Sequence, residues 1–267
     1  MEFKDKVFAV TGGGNGIGRE VVLALLNRGA KVAALDISEK GLKETAELAK
    51  ELSKNLTTHV VSVTDKAQVD NLPEILLKEH GALDGLLNVA GIIQPFIPLN
   101  DLNYDQIERV MNVNFFGTLY MVKAFLPYLL KNSGTSCIAN VSSMGGFLPV
   151  PGQTIYGASK AAVKLMTEGL YAELKNTNVR VSVIFPGGVA TNITQNSGVE
   201  MKSMGENAKS YTMTTAPKAA EIILKGIEKE KFRIIVGKDS GFMDKLYRLA
   251  PKKAVDMITK QMAALLK

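Results

Sequence analysis

Short apolar runs alternate with longer amphipathic stretches along the whole chain. The runs at 7–10, 32–35, 57–61, 83–87, 136–141, 180–185 and 233–236 carry little polar alternation. That is the pattern of strands covered on both faces in a parallel sheet. Between them, 17–27, 39–53, 66–79, 104–130, 154–175 and 218–229 have the composition and spacing of helices. Seven strands alternating with six helices predict a doubly wound, Rossmann-like α/β fold, with a parallel sheet between two helical layers. No repeat, low-complexity stretch or linker interrupts residues 1–267, which read as one domain.

Two stretches fall outside this alternation. Residues 187–215 have glycines, Met201 and Met204 but no clear strand. Loops of that length are uncommon unless functional, so a substrate lid with a short helix is expected there. After the last strand, 239–267 read as a helical extension: Pro251 can open a helix, in which Ala254, Ile258, Met262, Leu265 and Leu266 recur at helical spacing. Three placements are open for this helix: on its own subunit, on a neighbouring subunit, or on an anionic lipid surface. The extension is expected to act at a protein or membrane surface rather than in catalysis.

Composition narrows the class. A charged fraction of 22% with 46% hydrophobic residues is ordinary for a soluble globular chain. A single cysteine, Cys137, excludes an intrachain disulfide and fits a reducing, cytoplasmic setting. It lies in an apolar run and reads as core. One Cys with two distant histidines, His59 and His80, gives no metal site. The strand-like start at 6–10 leaves no room for a signal peptide, and no eighteen consecutive apolar residues mark a membrane span. Most of the net charge of +6 comes from 228–267, where ten Lys/Arg face five Asp/Glu. The basic residues are spread out and lack a stripe of aromatics, so nucleic-acid binding is not expected.

The first strand runs into Thr11-Gly-Gly-Gly-Asn-Gly-Ile-Gly18, which opens the first helix. Glycines there permit positive φ and close approach of backbone N–H groups to a phosphate at a helix N-terminus. The spacing matches neither Gly-x-Gly-x-x-Gly nor a P-loop, since Arg19 stands where the P-loop needs Lys. Asp36 ends the second strand, eighteen residues past Gly18. A carboxylate there can bind a ribose 2′-hydroxyl and repel a 2′-phosphate. Capping the next helix is its other reading, although Ser38 is better placed for that.

Tyr156 and Lys160 share one face of a predicted helix through their i, i+4 spacing. An ammonium held near a phenol favours the phenolate and makes tyrosine a usable acid or base near neutrality. Ser143, at the end of the fifth strand, could aim its hydroxyl at a substrate oxygen.

Together these residues resemble the short-chain dehydrogenase/reductase family over most of the chain. The motifs fall in family order: Thr-Gly-x-x-x-Gly-Ile-Gly at 11–18, Asn88-Val-Ala-Gly91, Asn114 in Val-Asn-Phe-Phe-Gly, Ser143, Tyr-x-x-x-Lys at 156–160, and Pro186-Gly-Gly-Val-Ala-Thr191. The resemblance implies hydride transfer between a nicotinamide cofactor and a secondary alcohol or ketone. It makes Tyr156 the acid/base, and has Lys160 lower the tyrosine pKa and hold the nicotinamide ribose. Ser143, preferred over Ser142, orients the substrate oxygen, and Asn114 holds a water leading to Lys160. The cofactor would meet Gly12, Asn15, Gly16, Ile17, Gly18, Asp36, Ser62, Val63, Asn88, Ala90, Gly91, Pro186, Gly187, Val189 and Thr191, besides Tyr156 and Lys160. Asp36, with Asn15 where NADP users of the family often carry Lys or Arg, implies NAD(H) over NADP(H).

Two positions depart from the family pattern. Ser62-Val63 replaces the frequent Asp-Val, which weakens that adenine contact and leaves Asp65 to cap the next helix. Val89 replaces the second Asn of Asn-Asn-Ala-Gly, which bears on stability more than on chemistry. Met144, Phe147, Leu148, Val150 and Ile155, with Ile93, Pro95, Phe96 and Ile97, are expected to frame a fairly apolar substrate, with Gln94, Gln153 and Thr154 as its few polar contacts. The family also implies a homodimer or homotetramer built on helices 104–130 and 154–175, for which Phe115, Phe116, Leu119, Met121, Met166 and Leu170 offer apolar surface. The chief rival reading is a catalytically silent NAD-binding sensor or scaffold, which the complete Asn114, Ser143, Tyr156 and Lys160 set argues against. A lyase or epimerase with the same cofactor is a further rival, although such relatives usually carry a longer substrate region.

Overall fold

The computed structural model describes residues 1–199 and 213–263. Its strands are β1 (Val7–Thr11), β2 (Lys31–Asp36), β3 (Leu56–Val60), β4 (Gly85–Asn88), β5 (Ser136–Val141), β6 (Val179–Pro186), β7 (Val189–Ala190), β8 (Thr214–Thr215) and β9 (Arg233–Val236). Seven of them form one parallel sheet in the order β3-β2-β1-β4-β5-β6-β9, while β7 pairs only with β8. The helices are α1 (Gly16–Leu26), α2 (Glu39–Ala49), α3 (Lys66–His80), α4 (Tyr104–Met111), α5 (Gly117–Leu130), α6 (Thr154–Leu174), α7 (Ile193–Asn196), α8 (Ala216–Glu228), α9 (Lys238–Leu249) and α10 (Pro251–Met262). This is the expected Rossmann-like arrangement.

Alternating side chains of each strand feed two cores, as the period of two requires. Phe8, Val10, Val32 and Ala34 meet Val21 and Leu25 of α1 and Ile223 and Leu224 of α8. Ala9, Ala33 and Leu35 meet Leu72 and Leu76 of α3 and Met121 and Phe125 of α5. Both faces of the central strands are therefore dry, which is why they read as unbroken apolar runs. Cys137 is buried in the first core, where desolvation pushes its thiol pKa up to about 12. It is an inert core residue.

Chain order reverses between β1 and β4, which pair with Thr11 beside Asn88. Ligands of such sheets bind outside the carboxyl ends of the strands at this switch point. The motif-bearing segments 11–18, 88–91, 142–160 and 186–191 all leave the sheet at that end.

Several boundaries differ from expectation. Helix α2 stops at Ala49, because Lys50 adopts φ 51° and a 3-10 segment, Lys50–Asn55, follows. The expected single helix 104–130 is α4 and α5 joined by a π-helical turn, Asn112–Phe116. By length and composition Tyr104–Leu130 could cross a bilayer. Here Met121, Val122, Phe125 and Leu129 are instead packed in the second core. Met121 and Leu170 are thus core residues rather than surface for a partner subunit; Phe116 remains 37% exposed.

In the expected lid, β7, α7 and β8 are found where no strand was anticipated, and residues 200–212, with Met201 and Met204, lie outside the described set. Of the three placements for the C-terminal helix, the structure takes the first. Ala254 and Ile258 of α10 are buried with Met243 of α9 and Leu148, and Met144, Phe147 and Val150 pack against them. Leu265 and Leu266 lie outside the described residues.

Candidate active site

Strand β5 delivers two serines that end up in different environments. The Ser142 N–H extends the ladder to the Ile184 carbonyl at 2.9 Å, and its hydroxyl donates to the Lys160 carbonyl at 2.7 Å. It is buried and structural. Ser143 is half-buried; its Oγ accepts from Gly145 N at 3.0 Å, and a Cβ on Gly145 would lie 3.5 Å from that oxygen and 3.3 Å from Tyr156 Cε1, so serine and tyrosine flank the same glycine. Ser143, as expected over Ser142, faces the tyrosine.

Lys160 lies one turn along α6 from Tyr156 and is only 3% exposed. Its Nζ donates to the Val141 carbonyl at 3.0 Å, and burial lowers its pKa to about 8. A Cβ on Gly91 would lie 3.0 Å from this Nζ and 3.2 Å from Asn114 Oδ1, so a bare glycine is what leaves room for the cation. The Tyr156 pKa is raised by burial, with the Ser143 hydrogen bond pulling it down. The expected lowering by Lys160 is not what this structure displays. Desolvation of the phenol dominates, and the ammonium is held on Val141.

Asn114 sits in the π-helical turn, which rotates its side chain into the fold. Its Oδ1 accepts from Ile92 N at 2.9 Å, while Nδ2 donates to Ile92 O at 3.0 Å and to Ser159 Oγ at 2.9 Å. Ser159 in turn donates to the Tyr156 carbonyl at 2.7 Å. The asparagine thus braces the 92–94 loop against α6, and its side-chain donors are already committed.

The residues expected around a cofactor converge on the switch point. Asn15 caps α1, accepting from Gly16 N at 2.6 Å. Ile17 packs against the first core. A Cβ on Gly18 would lie 2.0 Å from the Gly12 carbonyl, so the turn closes only with glycine there. Gly16 has φ 53°, and a Cβ on it would meet only Thr191, at 3.4 Å. The glycine turn and Thr191 are therefore neighbours, and the open side of the turn is a helix N-terminus that a pyrophosphate fits. Asp36 Oδ2 accepts from Gly14 N at 3.0 Å and Oδ1 from Ser38 N at 2.9 Å. Ser38, as expected, caps α2 by accepting from Gly41 N at 3.0 Å.

Ser62 Oγ shares a 2.8 Å hydrogen bond with Thr64, Val63 packs against the second core, and Asp65 caps α3 by accepting from Gln68 N at 3.1 Å. Asn88 Nδ2 donates to Asn140 Oδ1 at 2.8 Å, so this residue ties β4 to β5. Pro186 ends β6, Gly187 N donates to Val236 O at 2.9 Å, and Val189 packs against the first core.

Four contributors were not singled out for these tasks in the sequence. Thr11 Oγ1 accepts from Val89 N at 3.0 Å and Ala90 N at 3.1 Å, which holds the 88–91 turn on β1. Arg19 donates to Gly14 O, to Thr45 Oγ1 at 3.1 Å and to Glu44 at 2.7 Å, locking the glycine turn to α2. Ser159 is the bridge between Asn114 and Tyr156. Asp239, in the first turn of α9, accepts from Gly188 N at 2.7 Å, so the C-terminal extension does reach the 186–191 loop. Thr11 and Ser159 lay inside recognisable motifs, Ser159 as a variable position of Tyr-x-x-x-Lys; the partners Asn114, Glu44, Thr45 and Gly188 are reached across long sequence separations.

The expected apolar frame of the substrate needs correction. Leu148 is fully buried beneath α9 and α10, and the half-buried Met144, Phe147 and Val150 pack against the same cluster. Gln94 and Gln153 are buried too, at 0% and 3% exposure, and their amides bond to backbone; of the expected frame, Ile93, Gln94 and Pro95 do line a small cavity, with Arg109 and Ser197.

The sequence profile of the family described as short chain dehydrogenase matches residues 6–202. The chain belongs to the short-chain dehydrogenase/reductase family. Within it, SadH of Mycobacterium tuberculosis is 32% identical over 254 residues, covering 92% of this chain and 91% of that protein. A 3-oxoacyl-[acyl-carrier-protein] reductase, FabG of Thermotoga maritima, is 35% identical over 73% of this chain and 78% of its own length. Among solved structures, a short-chain dehydrogenase/reductase from Burkholderia phymatum in complex with NAD superposes with a TM-score of 0.84, at 25% identity, covering 94% of this chain and 96% of its own. One from Burkholderia cenocepacia in complex with NADP gives 0.80 at 26% identity, covering 97% and 99%.

Proposed function

We propose that this chain is an NAD(H)-preferring oxidoreductase that interconverts a secondary alcohol and its ketone, with Tyr156 as acid/base. The observation that carries the reading is that Ser143 and Tyr156 flank the same glycine, Gly145, at the sheet's carboxyl end, with Lys160 buried one turn away on the same helix. When bound, a nicotinamide cofactor takes the hydride from the alcohol carbon or returns it to the carbonyl. Tyr156 takes the alcohol proton at its phenol oxygen in oxidation and gives it back in reduction. Ser143 holds the substrate oxygen against that phenol. Lys160, with a pKa lowered by burial to about 8, is mostly cationic at neutral pH and would hold the nicotinamide ribose beside Tyr156.

Preference for NAD(H) rests on Asp36, whose carboxylate stands beside the glycine turn, and on Asn15. Arg19, directly after the glycine turn, pairs with Glu44, which leaves it poorly placed to offset a 2′-phosphate. Exposed Tyr104 and Phe116 on the α4–α5 segment, and Leu165 and Tyr171 on α6, support a homodimer or homotetramer through those helices. A screen of secondary alcohols and ketones, following absorbance of the reduced nicotinamide with each cofactor, tests the reading. Turnover with NAD(H) above NADP(H) is expected; no turnover of any alcohol or ketone while NADH binds would favour a silent sensor.

A further inference from the structure

Helix α6 carries Tyr156 in its first turn, yet its N-cap residue, Gln153, makes no side-chain capping bond. An uncapped buried helix start leaves orphan N–H donors that must be met from elsewhere. They are met by Gln94, which lies some sixty positions earlier in the chain. Gln94 Oε1 accepts from Ile155 N at 2.8 Å and from Tyr156 N at 2.9 Å. Its Nε2 donates to Gly152 O at 3.0 Å, which fixes the amide orientation, because the carbonyl oxygen must face the two N–H groups. Its own main-chain carbonyl accepts from Gln153 Nε2 at 2.7 Å. Pro95 follows and disfavours helical backbone at Gln94. The residues just before it are held as well: Ile92 by Asn114, and Ile93 N by Ser197 Oγ at 3.0 Å.

We propose that Gln94 is the positioning residue for Tyr156: it caps the catalytic helix in trans and sets where the phenol stands relative to Ser143. The inference rests on Tyr156 being the acid/base. Gln94 touches no reacting atom; it acts through the backbone N–H of the tyrosine itself. A neutral amide suits the task, since it offers an acceptor to the helix and a donor to Gly152 without placing a charge beside the phenol.

The test compares Gln94→Leu, which removes acceptor and donor at similar volume, with Gln94→Glu, which keeps an acceptor for both N–H groups. Three readouts are taken on the full-length protein. They are kcat and KM for the alcohol that wild type turns over, NADH affinity by fluorescence, and the Tyr156 titration followed by 13C NMR with [13Cζ]tyrosine, assigned by Tyr156→Phe. Gln94→Leu is expected to lose tenfold or more in kcat, with KM and NADH affinity within about twofold. Its Tyr156 resonance should titrate at higher pH, because a displaced phenol loses the nearby Ser143 hydroxyl that pulls its pKa down. Gln94→Glu is expected to recover only part of the lost kcat, since it restores the acceptor for the two N–H groups but not the donor to Gly152.

A folded Gln94→Leu with wild-type kcat and an unmoved Tyr156 resonance overturns the proposal. Should that variant not fold, Gln94→Met is read by the same criteria, and wild-type kcat and resonance in it overturn the proposal equally. The underlying reading fails separately. If Tyr156→Phe retains turnover while Gln94→Leu still shifts the tyrosine resonance, the positioning contact stands and the acid/base assignment falls.

Discussion

Replacing Lys160 by methionine should abolish turnover and at the same time relieve the fold of a cost at neutral pH. Burial takes the Lys160 pKa from 10.5 down to about 8. At about 1.4 kcal/mol per pH unit, that fall amounts to a penalty of ~3 kcal/mol on the buried ammonium. Below pH 8 both folded and unfolded chains hold the proton, and the folded state carries the penalty in full. Between 8 and 10.5 the folded state has released the proton while the unfolded state keeps it, so this group makes stability rise with pH. Above 10.5 both are neutral and the penalty is gone.

Methionine removes this slope. It also leaves the Val141 carbonyl without the donor it has at 3.0 Å, at a cost of about 1–3 kcal/mol. The net gain at pH 7 is therefore small, on the order of 1 kcal/mol. The pH dependence is the sharper readout. Urea unfolding of wild type and Lys160→Met at pH 7 and pH 10 should show the wild type gaining about 2–3 kcal/mol relative to the variant. Other titrating groups cancel in that difference. A difference that stays constant within about 0.5 kcal/mol would refute a depressed lysine and, with it, the account of the buried cation.

Three further outcomes are expected. Asp36→Ala should narrow the ratio of kcat/KM for NAD over NADP by tenfold or more, since a charge clash is worth a few kcal/mol; an unchanged ratio would remove Asp36 from cofactor choice. Gly91→Ala places a methyl 3.0 Å from Lys160 Nζ and should cost at least tenfold in kcat while circular dichroism stays native; wild-type activity would show that the cation does not need that space. Ile258→Ala should lower urea stability by about 2–4 kcal/mol, because Ile258 is 2% exposed within the cluster covering Leu148; a change under about 0.5 kcal/mol would put α10 elsewhere in solution.

The sheet was legible because its central strands are dry on both faces, so Phe8, Ala9 and Val10 declare burial without needing partners. Edge strand β3 was legible less from polarity than from its place in the alternation; His59 and Val60 show its half-exposed character. The Tyr156, Lys160 and Ser143 set was readable because α6 fixes one spacing and β5 ends beside it. What the chain did not reveal are contacts set by tertiary geometry. The π-helical turn at Asn114 has no local signal, since Asn-Val-Asn-Phe-Phe is compatible with plain helix. Gln94 and Gln153 looked like polar pocket residues because a buried amide in an apolar loop has the same sequence appearance whether it meets a ligand or a helix end. Met144, Phe147 and Leu148 looked like a substrate frame for a similar reason: their cover, α9 and α10, arrives about a hundred residues later. The lowered tyrosine pKa expected from an i, i+4 ammonium also failed, because spacing says nothing about how far both groups are desolvated.

The most direct test of the central claim is Tyr156→Phe, which deletes one oxygen and leaves the ring. Turnover of the best alcohol from the screen and NADH affinity by fluorescence are measured on the same preparation, with circular dichroism as the control for folding. The account predicts a loss of turnover of at least a thousandfold with NADH affinity within a few-fold of wild type. A folded Phe variant that retains a tenth or more of wild-type turnover would contradict it, because the account routes that proton through the Tyr156 phenol alone.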